Sequence, residues 1–474
     1  MSALERIECL LDDSSFVEIG GLIQARSTDY NLGAKKLPGD GVITGYGVID
    51  ERMVYVYSQD ASVLGGSVGE MHARKIAALY DLAIKTGAPV VGMIDSAGLR
   101  LQESTDALQA FGSIFARQAQ ASGRIPQICA VFGQCGGGSA VISALSDFTF
   151  MEKENAALFV NSPNSLMDNK EGKLDSSRAD YQAEHAGNVD FVCESEEEMI
   201  AGIRSLINML PSDYDADDAY DDLEDSMNRI IPELNESEYD AAYILSSIAD
   251  RVGNGQSTFL EVKKMYAPDM ITAFIRLNGE TVGAVANQPV DGKKLLSARG
   301  LEKAARFVNV CDAYNIPILT VTNVAGCKAA LHDERRLAGL LAGLASAFAG
   351  STVPKVNLLA GEAYGTAAIV MNSKVIGADF VLAWPDASVG MMDAEQAVRI
   401  IYADEIASGE DQLAVIAEKT DQMREEQSSA IAAARRGYID DIIEPDASRK
   451  RLIAAFEMLY GKNVTGIKKK HSTI

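Results

Sequence analysis

Two short glycine-bearing runs are where this sequence of 474 residues could do chemistry. Phe132-Gly-Gln-Cys-Gly-Gly-Gly-Ser-Ala140 sets three consecutive glycines between an apolar strand and a helix start, and Glu362-Ala-Tyr-Gly-Thr-Ala-Ala368 repeats that layout. Glycine permits positive φ and close ligand approach, and the unpaired N–H groups of a helix start favour developing negative charge. The chemistry this predicts is an oxyanion hole, present twice.

Other chemistries find less support. Cys135 and Ser139 flank the first glycine run, yet no G-x-S-x-G elbow exists, and the four histidines are His72, His185, His332 and His471. Cys135 reads as a small buried residue. His332, beside Asp333 and Glu334, reads as a solvated loop histidine without metal-ligand spacing, and no metal site is expected. Neither a P-loop nor a strand-linked G-x-G-x-x-G with a later acid is present, although Leu64-Gly-Gly-Ser-Val-Gly69 could touch a ligand through Gly65 and Gly66.

The elements that must position the two runs occur in duplicate. Lys75 to Gly98 lies over Lys303 to Gly326 at an offset of 228, and Pro126, Gly133 and Gly137 fall on Pro354, Gly361 and Gly365. Each copy reads as helix, strand, glycine loop, helix, strand, glycine loop, which predicts two α/β domains. An acidic stretch, Asp213 to Asp225, carries eight acids and no base and reads as an interdomain linker. The domains are set at 1–228 and 229–474.

Composition narrows the class. With 43 Lys and Arg against 67 Asp and Glu, the formal net charge is −24, which argues against nucleic-acid or anionic-membrane binding. Six cysteines without a C-x-x-C pair point to neither zinc ribbon nor disulfide framework, and hence to a reducing, cytoplasmic setting. The start of the chain lacks the basic and apolar regions of a signal peptide. The Ala- and Gly-rich run 337–350 is shorter than the roughly 18 to 20 residues of a membrane span and is expected to pack as a helix inside the protein.

Over nearly its whole length the chain resembles the carboxyltransferase subunits of biotin-dependent acyl-CoA carboxylases, the propionyl-CoA carboxylase β-chain type, and those of biotin-dependent acyl-CoA decarboxylases. In the first half the resemblance is carried by Leu10-Leu-Asp-Asp-Ser-Ser-Phe16, Gly39-Asp-Gly-Val-Ile-Thr-Gly-Tyr-Gly47, Leu64-Gly-Gly-Ser-Val-Gly-Glu70, Asp95-Ser-Ala-Gly-Leu-Arg-Leu-Gln-Glu103, Ser122-Gly-Arg-Ile-Pro-Gln127 and the Cys135 glycine loop. In the second it is carried by Val285-Ala-Asn-Gln-Pro289, Lys303-Ala-Ala-Arg-Phe307, Thr352-Val-Pro-Lys355, Ala363-Tyr-Gly365, Ala383-Trp-Pro385 and Tyr438-Ile-Asp-Asp441.

The resemblance implies two tandem crotonase-like domains of the ClpP/crotonase superfamily, assembled as a homo-hexamer. It implies carboxyl transfer between carboxybiotin and the α-carbon of a short acyl-CoA, of the acetyl- or propionyl-CoA type, through an enolate. The backbone amides of Gly137 and Gly138, and of Thr366 and Ala367 with Gly365 setting the turn, would form the two oxyanion holes. Gly65, Gly66, Gly98 and Arg100 would contact substrate, with Arg100 a candidate for the CoA phosphates, and Ile369 stands where the family has an acyl-pocket selectivity residue, often Asp. By the same resemblance the cofactor would act as base, so that no catalytic dyad is needed. A biotin carboxyl carrier and a biotin carboxylase, or a membrane decarboxylase pump subunit, are expected on other chains, because the sequence has neither a Met-Lys-Met attachment site nor an ATP-binding module.

Three segments depart from the family pattern. Lys-Ala-Tyr-Gly-Gly becomes Glu362-Ala-Tyr-Gly-Thr366, Pro-Gly-Phe becomes Ala325-Gly-Cys327, and Thr-Gly-Pro becomes Asn161-Ser-Pro-Asn164. The readings that remain open are a carboxylase subunit, the decarboxylase form coupled to a sodium pump, and a non-catalytic scaffold subunit.

Overall fold

A computed structural model describes residues 1–26, 37–169, 174–217, 219–221, 225–409 and 411–462. These divide after Ala219 into two compact units. The sequence reading sets the boundary nine residues later. Tyr220 bridges to Glu280, the Asp221 N–H donates to the Gly279 carbonyl at 3.1 Å, and Asp225 pairs with Arg229 and Arg449. These contacts join the end of the acidic stretch to the second unit. Its residues 218 and 222–224 lie outside the described residues.

In unit 1 the strands are β1 (Val17–Glu18), β2 (Val42–Ile49), β3 (Arg52–Gln59), β4 (Val90–Ser96), β5 (Gln127–Gly136), β6 (Phe148–Glu152), β7 (Ala157–Phe159) and β8 (Phe191–Cys193). They form one sheet in the order β1-β2-β3-β4-β5-β6-β8, with β7 beside the end of β5. An antiparallel hairpin, β2–β3, leads into parallel pairs whose crossovers include the helices Glu70–Thr86 and Ser104–Ala121. Both faces of the parallel strands are covered, so β4 and β5 read as nearly unbroken buried runs. The helix Glu70–Thr86 buries Ile76, Leu79, Tyr80 and Ala83 at three-to-four spacing. It stops at Gly87, which takes the left-handed conformation that ends helices.

Unit 2 has β9 (Leu260–Val262), β10 (Met270–Leu277), β11 (Glu280–Asn287), β12 (Leu295–Leu296), β13 (Ile318–Val324), β14 (Gly326–Cys327), β15 (Lys355–Tyr364), β16 (Phe380–Ala383), β17 (Ser388–Gly390) and β18 (Asp441–Ile442). Its main sheet runs β18-β16-β15-β13-β11-β10-β9, with β17 beside β15, while β12 and β14 pair separately.

The duplication is repeated in the hydrogen-bond registers. Tyr55 pairs with Val90 as Gly283 pairs with Ile318; Val90 pairs with Gln127 as Ile318 pairs with Lys355. Both units carry the same register shift, after which Ser96 meets Cys135 and Val324 meets Ala363. The common offset extends back to Val42–Gln59 and Met270–Asn287 at the start of each hairpin. It ends beyond the glycine turns, where Ile128 meets Phe148 but Val356 meets Phe380.

The run 337–350 corrects an expectation. It belongs to the helix Leu331–Gly350, which buries Leu337, Leu344, Ala347 and Phe348. Side-chain atoms placed on Gly339 and Gly343 would meet nothing in this chain within 4 Å. The apolar stripe packs and the small-residue face stays open. His332 lies in the first turn of this helix, not in a loop, 3.0 Å from Asp333. Among the described residues no helix is long and apolar enough to cross a membrane.

Candidate active site

Each glycine turn sits where a long central strand ends and a short helix begins. In unit 1, β5 passes through Gly137 into the helix Gly138–Ala144; in unit 2, β15 passes into the helix Gly365–Val370. Gly137 has φ 58° and Gly365 φ 62°, a conformation costly to any residue with a Cβ. The turns are anchored alike. The Gln134 N–H reaches the Asp95 carboxylate at 3.3 Å, and the Glu362 N–H reaches the Asn323 amide oxygen at 2.9 Å. A Cβ on Gly133 or Gly361 would overlap that same anchoring side chain, which accounts for their shared position.

The donors differ in part from those expected. Gly137 donates its N–H to the Phe159 carbonyl at 2.9 Å, extending the β5–β7 pairing, so this amide is already engaged. The N–H groups of Gly138 and Ser139 have no acceptor among the described residues. In unit 2 the same holds for Gly365, Thr366 and Ala367. By the common offset, Gly138 and Ser139 are the counterparts of Thr366 and Ala367. Ser139 is a donor that the glycine pattern does not mark; its position at the start of the helix is the signal that the sequence does carry. Its hydroxyl is buried and also lacks a partner among the described residues.

Gly65, Gly66 and Gly98 belong to the support of the first turn. The Ala97 N–H donates to the Gly65 carbonyl and the Val68 N–H to the Gly98 carbonyl. A Cβ on Gly66 would overlap the Asp95 carbonyl, and one on Gly98 would lie 2.9 Å from the Gly136 carbonyl oxygen. These glycines let two loops close on the end of β5. Val68 bridges Leu99 as Leu296 pairs with Cys327, so β12 and β14 are the same support in unit 2.

Arg100 does not stand where an anionic substrate could reach it. It is fully buried. Its guanidinium bonds Asp40, Glu103 at 2.8 Å and the Ser67 carbonyl at 2.8 Å. Asp40 and Glu103 in turn accept the N–H groups of His72 and Glu70, at 2.7 and 2.6 Å, at the start of the helix Glu70–Thr86. The arginine is thus a clamp between that helix start and the glycine loop, because a buried cation must be surrounded by partners.

Cys135 is likewise removed from solvent, and burial holds its thiol well above the ordinary range. A protonated, inaccessible sulfur is not a nucleophile. Among the described residues, no group of three or more His, Cys, Asp and Glu is placed to hold a metal ion.

Two further features had no clear signature in the sequence. Lys294 reaches Glu362 at 2.8 Å, so the acid at the second turn is an ion-paired group. A cavity of about 760 Å³ opens beside the second turn, with Gly365, Ala368 and the 46% exposed Ile369 on its wall.

Comparison with known proteins agrees with this architecture. The family described as "Carboxyl transferase domain" matches residues 1–474. The methylmalonyl-CoA decarboxylase subunit alpha of Propionigenium modestum is 38% identical over 484 residues, covering 100% of this chain and 93% of that one. The propionyl-CoA carboxylase beta chain of Roseobacter denitrificans is 37% identical over 487 residues, with coverages of 100% and 93%. The crystal structure of transcarboxylase 12S with hydrolysed methylmalonyl-coenzyme A superposes with a TM-score of 0.93 at 34% identity, covering 100% of this chain and 92% of that one. With two tandem crotonase-like α/β domains and relatives matched along its whole length, the chain belongs to the carboxyl transferase family and is an acyl-CoA carboxyltransferase of the biotin-dependent carboxylase and decarboxylase type.

Proposed function

We propose that this carboxyltransferase moves a carboxyl group between carboxybiotin, borne on a separate carrier protein, and the α-carbon of an acyl-CoA through an enolate. The observation that carries the reading is the pair of matched turns. Gly138 and Ser139 in one, and Thr366 and Ala367 in the other, present N–H groups without acceptors among the described residues at the same place in a duplicated fold. One turn holds the thioester oxygen as the enolate forms, and the other holds the ureido oxygen. Each donor of this kind is worth about 10²–10³ in rate in known cases.

The first turn has room for such a ligand. A Cβ on Gly137 would meet nothing within 4 Å, so there is open space over the first turn. When bound, carboxybiotin supplies the carboxyl group and the nitrogen that takes the α-proton. The chain's own part is to hold two oxygens with fixed dipoles, anchored through Asp95 and Asn323, that need no reorganisation as charge develops.

Transfer in the decarboxylating direction, onto a membrane pump subunit, is a second reading supported by the relation to methylmalonyl-CoA decarboxylase. The scaffold reading is less favoured, since Glu362 is paired and the Thr366 N–H has no acceptor among the described residues. Assembly as a hexamer follows the transcarboxylase 12S relative, whose crystal structure is described as a hexamer. The test is decarboxylation of malonyl- and methylmalonyl-CoA by the purified protein with free biotin as acceptor, and carboxylation of acetyl- and propionyl-CoA with the cognate carrier. Turnover in either assay is the expected result; none in both overturns the proposal.

A further inference from the structure

A bulge precedes each glycine turn, and both bulges are held in the same way. β4 and β13 pair with β5 and β15 as far as Ile94–Val131 and Thr322–Leu359, and pairing resumes at Ser96–Cys135 and Val324–Ala363. One residue of the first strand therefore faces three of the second, which leaves backbone donors of the longer side without ladder partners. Asp95 and Asn323 are those single residues, and their side-chain oxygens take the Gln134 and Glu362 N–H groups. The anchors are held in turn by a side-chain amide from the end of each hairpin. The Gln59 oxygen accepts the Asp95 N–H at 3.2 Å, and the Asn287 oxygen accepts the Asn323 N–H at 2.7 Å. Gln59 and Asn287 are both buried and stand at the common offset. The amide nitrogen of Asn287 returns to the Asn323 carbonyl, whereas that of the longer Gln59 passes on to His72.

The two anchors differ by a charge. Asp95 is a carboxylate and Asn323 a neutral amide, and a negative group behind a turn that holds an oxyanion opposes the charge developing there. Unit 1 balances it with Arg6. This buried arginine donates to the second Asp95 oxygen at 3.3 Å and to Glu196 at 2.9 Å, and it lies 4.4 Å over the ring of Phe132 in the bulge. Arg6 is the fourth residue of the helix Ala3–Leu10, which follows the cap Ser2 and precedes the hairpin β2–β3. In unit 2 the helix Ala241–Ile248, also of eight residues, follows the cap Asp240 and precedes the hairpin β10–β11. Its fourth residue is Ile244, fully buried in the apolar core. The charged anchor goes with an arginine, and the neutral anchor with an isoleucine.

Resting on the carboxyltransferase reading above, we propose that Asp95 with Gln59, and Asn323 with Asn287, are positioning residues that aim the amides of the two turns, and that Arg6 acts through Asp95 by neutralising it. The unit 1 anchor needs its arginine because it is a carboxylate; the unit 2 anchor supplies the same acceptor without a charge to balance. Fixing the bulge fixes where the strand enters the helix, and so where the N–H groups of Gly138 and Ser139, or of Thr366 and Ala367, point.

The experiment measures kcat and KM for biotin-dependent decarboxylation of malonyl- and methylmalonyl-CoA by the full-length protein and its variants, with folding followed by circular dichroism. Asp95→Ala and Asn323→Ala release the Gln134 and Glu362 N–H groups and are expected to lower kcat about 10²-fold with little change in KM. Asp95→Ser and Asn323→Ser, too short to reach the bulge, take their place if an alanine variant does not fold. Arg6→Gln leaves the Asp95 carboxylate unbalanced and is expected to lower kcat roughly tenfold, the effect of one charge on the order of 10 Å away at an effective dielectric constant near 20. Adding Asp95→Asn to Arg6→Gln gives unit 1 the neutral anchor of unit 2 and is expected to recover that loss. A purely structural Arg6 would show no such recovery, because a second substitution does not repair lost packing. No turnover of either thioester by the wild-type protein would overturn the carboxyltransferase reading itself. With turnover, folded anchor variants that keep their kcat would overturn the positioning role. An Arg6→Gln variant as fast as wild type, or a double variant no faster than Arg6→Gln, would overturn the role of Arg6.

Discussion

The Nε2 atom of His72 lies 3.1 Å from the side-chain nitrogen of Gln59 and accepts a hydrogen bond from it. The orientation of the glutamine amide is set by its oxygen, which takes the Asp95 N–H at 3.2 Å. The other ring nitrogen, Nδ1, faces the Asp40 carbonyl at 3.0 Å and donates to it. Only a neutral imidazole satisfies both contacts.

Burial, reinforced by Arg100 and Lys75, lowers the His72 pKa to about 3, against 6.5 for the free side chain. Below about pH 6.5 the unfolded chain takes up a proton that the folded one refuses. The stability contributed by neutral His72 is therefore complete above that pH and is lost as pH falls towards 3, at up to about 1.4 kcal/mol per pH unit. Urea unfolding between about pH 7 and 5 checks this. His72→Gln is expected to flatten that dependence, and an unchanged slope would count against it.

Truncating Arg100 strands Asp40 and Glu103 in the interior. Arg100→Ala is expected to lower stability by about 3–5 kcal/mol, read as a fall in the denaturation midpoint. Arg100→Lys restores only part of it, because a point charge cannot span Asp40, Glu103 and the Ser67 carbonyl together.

Thr366 occupies the first turn of its helix, where proline is tolerated because no helical bond uses the N–H. Thr366→Pro is predicted to keep the circular-dichroism spectrum and lose about 10²–10³ in kcat. Thr366→Gly, which keeps the N–H and removes the Cβ at the mouth of the turn, is predicted to retain or raise the rate. Wild-type turnover by the proline variant would remove this amide from the mechanism.

The Lys294–Glu362 pair is about one-third exposed on each side, so solvent screens it and its worth is at most about 1 kcal/mol. Glu362→Lys sets two ammonium groups together and is expected to lower activity at low salt. Adding Lys294→Glu to that variant should recover it. A double variant no better than the single one would show that Glu362 matters for more than pairing.

The doubled architecture was legible because apolar periodicity and glycine spacing are local properties. Lys75 and Lys303 illustrate how far this went. They align at the sequence offset, and each is buried with its ammonium on backbone carbonyls, of Gly39 and Val42 in one unit and of Lys263 and Tyr266 in the other. The role of Arg100 was illegible for the opposite reason. An arginine beside a glycine loop has the same sequence signature whether it faces a phosphate or two buried carboxylates, and its partner Asp40 lies sixty residues away.

The sequence by itself determined the two α/β repeats, the strand-to-helix glycine turns and the family, since these follow from short-range pattern and from many ordered motifs. Tertiary structure alone decided which amides are available. Gly137 and Gly138 are chemically identical, and only the arrival of β7 beside β5 engages the first and leaves the second without an acceptor among the described residues. It also decided that residues 391–440 border the cavity beside the second turn, because a cavity is made by side chains from β15, β16 and distant helices meeting in space, and no window of the chain contains them all.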